Sequence, residues 1–226
     1  MMKYRYNQRN QTGFTIIELM IATVIFSLVL MVCLAGIMQI TKMYYRTVTQ
    51  NKTREVARSI IDELGESLRY SSAAYNSGSP VIGPQIELSN DNYIGYFCVG
   101  QKRYSYAIDR QVSTKLDAER KQIKHALWVD TSQCDGPADL NSANSEPSAN
   151  GADLVPENMR LFKLSISNVD SSNSVYRIEV GVAYGDDDLL FPKPEENPTE
   201  LTCEGAINAS EFCATVILSE TVQKRL

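Results

Sequence analysis

Hydrophobic residues are concentrated in one run near the N-terminus of the chain. The run from Phe14 to Ile40 contains a single charged side chain, Glu18, whereas residues 1–13 are polar and basic. As an α-helix it would be about 40 Å long, enough to cross a hydrocarbon core about 30 Å thick at a tilt. We therefore predict a transmembrane helix over residues 14–41.

Basic residues lie on both sides of this run and predict its orientation. Lys3, Arg5 and Arg9 precede the run, and Lys42 and Arg46 follow it. The cluster at the very N-terminus favours the cytoplasm for that end, because basic flanks are retained there. The remainder of the chain is then expected on the outer side of the cytoplasmic membrane.

Two plainer interpretations of the run were weighed. One is a secretory signal peptide cut after Ala35, but the run is long for such a segment and apolar residues continue to Ile40. The other is a simple single-pass anchor. Neither explains Glu18, because a lone carboxylate in an apolar helix costs several kcal/mol unless it has a partner.

The helix is expected to continue beyond the membrane in amphipathic form. Val56, Ile60, Leu64 and Leu68 recur every four residues among polar positions. This spacing places them on one helical face. Residues 42–70 are therefore predicted to form a helix that packs through this face against the rest of the chain.

Beyond a Ser-, Asn-, Gly- and Pro-rich stretch over residues 71–90, the pattern changes to period-two alternation, which indicates β-strands. The predicted strands are Tyr93–Val99, Arg103–Ile108, His125–Val129, Leu161–Asn168, Val175–Tyr184 and Phe212–Val222. Short links between strands favour an antiparallel sheet. Two polar segments, Asp135–Asn150 and Asp186–Pro198, read as insertions.

Composition adds two constraints. The net charge is −5, with the basic leader included, so the bulk of the chain is acidic and unsuited to nonspecific nucleic-acid binding. Of five cysteines, Cys33 lies in the apolar run and four lie beyond it. An even number outside a membrane segment suggests disulfides in an oxidising compartment, with the connectivity open. A zinc site would need distant residues, since His125 is the only histidine.

The start of the apolar run resembles a known processing signal. Gly13-Phe14-Thr15-Ile16-Ile17-Glu18-Leu19 is similar to the type III prepilin cleavage and methylation motif. The resemblance implies that a membrane-bound aspartyl peptidase cuts after Gly13 and N-methylates Phe14. It also implies that Glu18, the fifth residue after the cut, acts in filament assembly by pairing with an N-terminal amine, its own or a neighbour's.

The resemblance also implies an architecture. The fold class is α+β and type IV pilin-like, with a long N-terminal helix packed on an antiparallel β-sheet head. Residues 1–13 would be the leader, 14–41 the transmembrane and assembly helix, 42–70 its amphipathic half, and 71–226 the extracytoplasmic head.

The same resemblance suggests a pairing for the head cysteines. Pilin-like proteins often carry a C-terminal disulfide loop on an exposed surface, and Cys203 with Cys213 looks like one. Cys98 with Cys134 is then the remaining pair, although other pairings stay open.

Candidate chemistry in the head is sparse. Asp186, Asp187 and Asp188 follow a strand, and calcium favours such oxygen ligands. A second oxygen-rich segment contains Asp135, Asp139 and Asn141. Neither has EF-hand spacing, so solvated acidic loops are the preferred reading.

His125 is interpreted as a packed or surface residue. The chain lacks the common nucleophile, phosphate-loop and metalloprotease motifs. We therefore expect that the chain has no enzymatic activity and binds no cofactor.

The sequence is consistent with three functions. The first is a minor or tip-associated subunit of a type IV pilus. The alternatives are a minor pseudopilin of a type II secretion or competence DNA-uptake apparatus, and a tip adhesin. The helix lacks a proline midway, where many major pilins have one, and the head carries long insertions; both favour a minor role.

Each function implies the same set of partners. They are other pilin subunits through the N-terminal helices, the prepilin peptidase, the inner-membrane assembly platform, and the membrane before assembly. A surface or DNA ligand at a filament tip is a further candidate partner. The expected location is the cytoplasmic membrane first and an extracellular filament or the cell surface afterwards.

Overall fold

The structure is a computed structural model with an α+β, type IV pilin-like architecture. It describes residues 13–70, 74–75, 87–88, 92–115, 122–140, 150–169, 175–186, 188–193, 197–203 and 212–225. The chain forms two compact units, Met1–Met43 and Tyr44–Leu226. The first unit contains the apolar half of the long helix, and the second contains the amphipathic half together with the head.

One helix, α1, covers Ile16–Tyr70, which confirms the predicted long helix. It begins two residues later than the apolar run. Proline is absent from α1, so every position after the first turn can donate its backbone N–H to the preceding turn. In the first unit almost every side chain of α1 is exposed; in the second unit one face is buried.

Thirteen strands follow α1 in the part of the chain that the structure describes. They are β1 (Ala74–Tyr75), β2 (Glu87–Leu88), β3 (Asn92–Val99), β4 (Lys102–Ala107), β5 (Gln111–Val112), β6 (Gln122–Ile123), β7 (Leu127–Asp130), β8 (Ala152–Asp153), β9 (Met159–Asn168), β10 (Val175–Tyr184), β11 (Leu190–Lys193), β12 (Asn197–Cys203) and β13 (Ala214–Gln223). All six predicted strands are present; Val175–Tyr184 has the predicted bounds, and the ends of the other five differ by at most two residues.

The strands form three sheets where the sequence suggested one. A six-stranded sheet has the order β1-β3-β4-β7-β8, with β2 also paired to β3; a five-stranded sheet has the order β13-β10-β9-β5-β6; β11 and β12 form a hairpin. All pairs are antiparallel except β5 with β6. That parallel pair joins two-residue strands, which are too short for periodicity to reveal.

The second half of α1 packs against the sheets, and its buried face forms part of the main hydrophobic core. Its buried face contains Ala57, Ile60, Ile61, Leu64 and Leu68, which confirms the predicted stripe. Val56 is only partly buried. Gly65 permits close packing, since a Cβ there would lie 3.4 Å from the Val222 side chain.

Polar contacts fix how α1 lies on the head. Lys52 lies 6.0 Å from the ring centre of Tyr184, at one end of β10. Arg69 forms an ion pair of 3.0 Å with Glu220, near the other end of the β10–β13 ladder. The Arg225 amide donates to the Arg69 carbonyl at 3.1 Å. The start of the helix in this unit therefore lies at the Tyr184 end of the sheet.

One predicted insertion proved to be a structured hairpin. Asp186–Pro198 was read as a polar loop, yet it contains β11 and the start of β12. A second small core explains the difference: Leu190 and Leu201 are buried there with Phe162, Ala183 and Cys213. The hairpin covers the outer face of one end of the five-stranded sheet.

The same covering changes the alternation predicted for β10. A register shift lies between Gly181 and Val182 opposite β9, and the Phe162 ring lies so close to Gly181 that a Cβ there would be 2.8 Å from it. Consecutive residues from Val180 to Ala183 are buried, because both sheet faces are covered at this end. Period two holds only in the earlier part of the strand.

Candidate assembly site

The peptide between Gly13 and Phe14 lies outside α1. Gly13, Phe14 and Thr15 have no regular secondary structure, and Phe14 is 84% exposed. No described atom beyond its chain neighbours lies within 4 Å of a Cβ placed on Gly13. A protease needs an accessible, non-helical peptide, and the predicted cleavage point has both properties. Cleavage itself remains a prediction.

Thr15 and Glu18 form a reciprocal cap at the start of α1. The Glu18 amide donates to Thr15 Oγ1 at 3.3 Å, while the Thr15 amide and hydroxyl donate to Glu18 Oε2 at 3.1 and 3.0 Å. The Leu19 amide donates to the Thr15 carbonyl at 3.2 Å and begins the helical ladder. This is a capping box, which satisfies two backbone donors that the helix leaves open.

The capping box directs the Glu18 carboxylate towards the predicted new N-terminus. Its Oε2 contacts the amide of Thr15, the residue next to Phe14. An ammonium released on Phe14 would be one residue away from that amide. The carboxylate therefore lies beside the backbone position at which cleavage would leave an amine, and it is exposed in the first unit.

Thr15 is a partner of Glu18 that the sequence interpretation did not identify. The signal was readable, because Thr15-Ile16-Ile17-Glu18 has the spacing of a capping box before an apolar run. The interpretation assigned Glu18 an amine partner and gave no role to the threonine. The structure supplies a local partner that reduces the cost of the carboxylate in the helix.

Three hydroxyl groups in the apolar half of α1 form hydrogen bonds within the helix. The hydroxyls of Thr23, Ser27 and Thr41 donate to carbonyls one turn earlier at 2.8–2.9 Å. By its length and composition, α1 is apolar enough to cross a membrane. Cys33 is a free, exposed thiol. These features fit membrane anchoring before assembly.

Both cysteine pairs suggested by the resemblance are bonded in the head. Cys98 is joined to Cys134, and Cys203 to Cys213. Cys213 is buried, so the C-terminal disulfide is partly internal. The residues between its cysteines, 204–211, lie outside the described part of the chain.

A buried ion pair lies beside the first disulfide. Arg103 donates to both carboxylate oxygens of Asp130, at 3.1 and 2.7 Å, and to the Gly136 carbonyl at 3.0 Å. Burial acts to raise the pKa of Asp130, but hydrogen bonds from Arg103 and from the Ser132 amide outweigh it and lower that pKa. The pair holds β4 and β7 to the loop that contains Cys134.

His125 is a packed residue in the structure. His125 was predicted to begin a strand, but β7 begins two residues later, at Leu127. Its Nδ1 lies 2.9 Å from Asp153 Oδ2. Its ring meets the Trp128 ring edge-on at 4.8 Å. Burial raises the pKa of Asp153, and the hydrogen bond from His125 opposes the rise.

The calcium candidates do not converge among the described residues. Asp186 accepts a hydrogen bond from Gln111 at 3.0 Å, and Asp188 is exposed. Asp187 lies outside the described residues, as does Asn141 of the Asp135–Asn150 segment. Within the described ranges, no group of three or more His, Cys, Asp or Glu side chains could hold a metal ion.

Comparison with known families gives one match. A family model described as the prokaryotic N-terminal methylation motif matches residues 8–34. The matched segment includes the exposed Gly13–Phe14 peptide and the capping box. No curated protein and no solved structure matches the chain significantly. The match therefore covers the N-terminal segment alone.

Proposed function

We propose that the chain, a type IV pilin-like prepilin by its N-terminal motif, is a minor or tip-associated subunit of a type IV pilus filament. The observation that carries the proposal is the methylation motif placed on an exposed apolar helix with one carboxylate. Such a helix needs lipid before assembly and other helices afterwards.

The proposed sequence of events follows from the helix start. The peptidase cuts between Gly13 and Phe14 and methylates the Phe14 amine, which keeps its positive charge. In the membrane, Glu18 pairs with Thr15 and with that amine. In the filament, Glu18 pairs with a neighbour's amine, which removes an unpaired charge and fixes the axial register of the two helices.

The minor role is supported by the shape of the head. The β11–β12 hairpin adds bulk beyond the two larger sheets, and the sequence carries a further polar segment over Asp135–Asn150. A subunit repeated along a whole filament would have to accommodate such additions at every interface. A pseudopilin of a secretion or competence apparatus remains the alternative, since the same motif serves both systems. A tip adhesin is compatible with the minor role.

Substitutions at Glu18 test the assembly role. Glu18→Ala is expected to insert into membranes and to retain a folded head, because the change lies outside the head and makes the segment more apolar. Its incorporation into filaments should fall strongly, since the neighbour's ammonium would be buried without a partner. The measurement is the ratio of the protein in sheared filaments to that in membranes.

Two further variants separate charge pairing from helix capping. Glu18→Gln keeps a side chain that can accept from the Thr15 amide but has no charge, so it should fail as Glu18→Ala does. Thr15→Val removes the hydroxyl and keeps the charge, so it should assemble better than either. If Glu18→Gln enters filaments as well as the parent chain, charge pairing is the wrong mechanism and capping is the function of Glu18.

A further inference from the structure

Three aromatic side chains form an exposed cluster at one end of the head. Tyr44 and Tyr45 lie on α1, and Phe212 precedes β13. The ring centres of Tyr44 and Tyr45 are 5.9 Å apart, and those of Tyr45 and Phe212 are 6.2 Å apart. The three residues are 64%, 49% and 51% exposed. We call Tyr44, Tyr45 and Phe212 the aromatic patch.

The patch has a defined place in the second unit. Contacts along α1 follow the order Tyr45 with Phe212, Lys52 with Tyr184, and Arg69 with Glu220. The Phe212 carbonyl also lies 3.4 Å from a Cβ placed on Gly185, just after β10. The patch is therefore at the end of the head where α1 enters it.

Chain connectivity places this end next to the membrane segment. Tyr44 follows Ile40, the last residue of the apolar run, by four positions on the same helix, which is a rise of about 6 Å. Tyr45 is the next residue, and Phe212 touches it. Tyr44, Tyr45 and the Phe212 ring that contacts Tyr45 are therefore expected near the end of the membrane-spanning segment.

The chemistry of the patch fits lipid headgroups. Aromatic side chains are favoured at the membrane–water interface, where the ring is shielded and polar tips stay hydrated. Lys42 and Arg46 flank the two tyrosines in sequence and are exposed. Basic side chains at that depth attract anionic lipid headgroups. An exposed Phe212 is poorly suited to bulk water but well suited to this layer.

We propose that the aromatic patch rests in the headgroup layer of the membrane before assembly, so that Phe212 gives the head its own contact with lipid. The proposal rests on membrane anchoring by α1, as stated above. It adds a contact from the far end of the sequence, beside the C-terminal disulfide. A neighbouring subunit is the competing occupant, but nothing in the exposed rings or the basic flanks selects a protein helix over lipid.

A single reporter tryptophan tests the proposal in the full-length protein. Trp128 is the only tryptophan and is buried, so Trp128→Phe gives a dark background. Phe212→Trp is added, and the protein is reconstituted in phosphatidylethanolamine–phosphatidylglycerol vesicles. Acyl chains brominated near the headgroup should quench most of its emission, and chains brominated near the bilayer centre should quench it much less.

Val169→Trp in the same background is the matched control. Val169 is also 51% exposed, and its amide donates to Val175 at the opposite end of β10. The length of β10 separates the two ends by about 30 Å. A tryptophan there should be unquenched in the same vesicles.

Vesicle flotation separates this proposal from anchoring. Protein that floats with vesicles while Trp at 212 stays unquenched overturns the lipid contact and leaves anchoring intact. Protein that does not float contradicts anchoring as well. A tryptophan at 212 that is solvated in vesicles but becomes blue-shifted only in filaments assigns the patch to a neighbouring subunit and also overturns the proposal. Equal quenching at 169 and 212 would show nonspecific contact and count against it.

Discussion

The head and the apolar part of α1 stabilise a carboxylate in different ways. In the head, Asp130 has a fully buried side chain held by two hydrogen bonds from Arg103. In the apolar helix, Glu18 is exposed, and within the described residues it accepts hydrogen bonds from the amide and hydroxyl of Thr15. Asp130 is thus paired with a cation of the same chain, whereas Glu18 has hydrogen-bond partners but no ion pair within the described residues.

The same contrast holds for apolar surface. The head buries its large side chains in one main core and one small cluster. The apolar half of α1 buries almost none. Apolar side chains that are buried within the head stabilise the folded subunit. Apolar side chains that stay exposed on α1 require lipid or neighbouring subunits to cover them. Substitutions in the two halves should thus separate stability from assembly.

The largest effect on stability is expected at Asp130. Asp130→Asn leaves the Arg103 charge buried with a neutral partner, which should cost about 3–5 kcal/mol in the free energy of unfolding. Thermal unfolding of the purified chain in detergent, followed by near-UV circular dichroism, measures the loss. A variant as stable as the parent would show that the ion pair is dispensable.

The ion pair also predicts a pH dependence. Folding lowers the pKa of Asp130 below its unfolded value of about 4. The ionised carboxylate therefore adds to the free energy of unfolding above that pH. This stabilisation is lost as the pH falls through the folded pKa. The Asp130→Asn variant should show a shallower loss of stability on acidification than the parent.

The next effect is expected in the helix face of the core. Leu64 is fully buried, and Leu64→Ala should cost about 2–5 kcal/mol. Membrane insertion should be unchanged, because the residue lies outside the apolar half. Leu34→Ala, at an exposed position of that half, is the matched control and should leave the unfolding midpoint unmoved. Equal losses for the two variants would refute the division between the halves.

The disulfides should contribute somewhat less. Each is expected to stabilise the head by about 2–4 kcal/mol. Non-reducing peptide mapping of exported protein should recover Cys98 with Cys134 and Cys203 with Cys213, and leave Cys33 as a thiol. Recovery of the four head cysteines as free thiols would contradict the expectation.

The sequence predicted the elements whose signals are local. The length of α1, its buried stripe and six of the strands (β3, β4, β7, β9, β10 and β13) follow from local apolar spacing. The β11–β12 hairpin was missed because Pro192 and Pro198 interrupt the run, so a polar loop was the better local reading. The burial that stabilises the hairpin comes from Phe162 and Ala183, which are distant in sequence.

Side-chain partnerships were harder to predict than elements. Arg103 and Asp130 meet only because β4 pairs with β7. Phe212 was assigned to the last strand, yet β13 begins at Ala214 and the Phe212 ring lies beside Tyr45. By contrast, the Thr15–Glu18 cap was fully encoded by its spacing.

The central claim is that the N-terminal apolar segment is processed and then acts in assembly. The identity of the mature N-terminus tests this claim most directly. Mass spectrometry of protein isolated from the native membrane should find a chain that begins with N-methylated Phe14. Gly13→Leu should accumulate the unprocessed form, because the peptidase must approach the backbone closely at the cut. A chain that begins at Met1 or Gly36 in the unmodified protein would contradict the account.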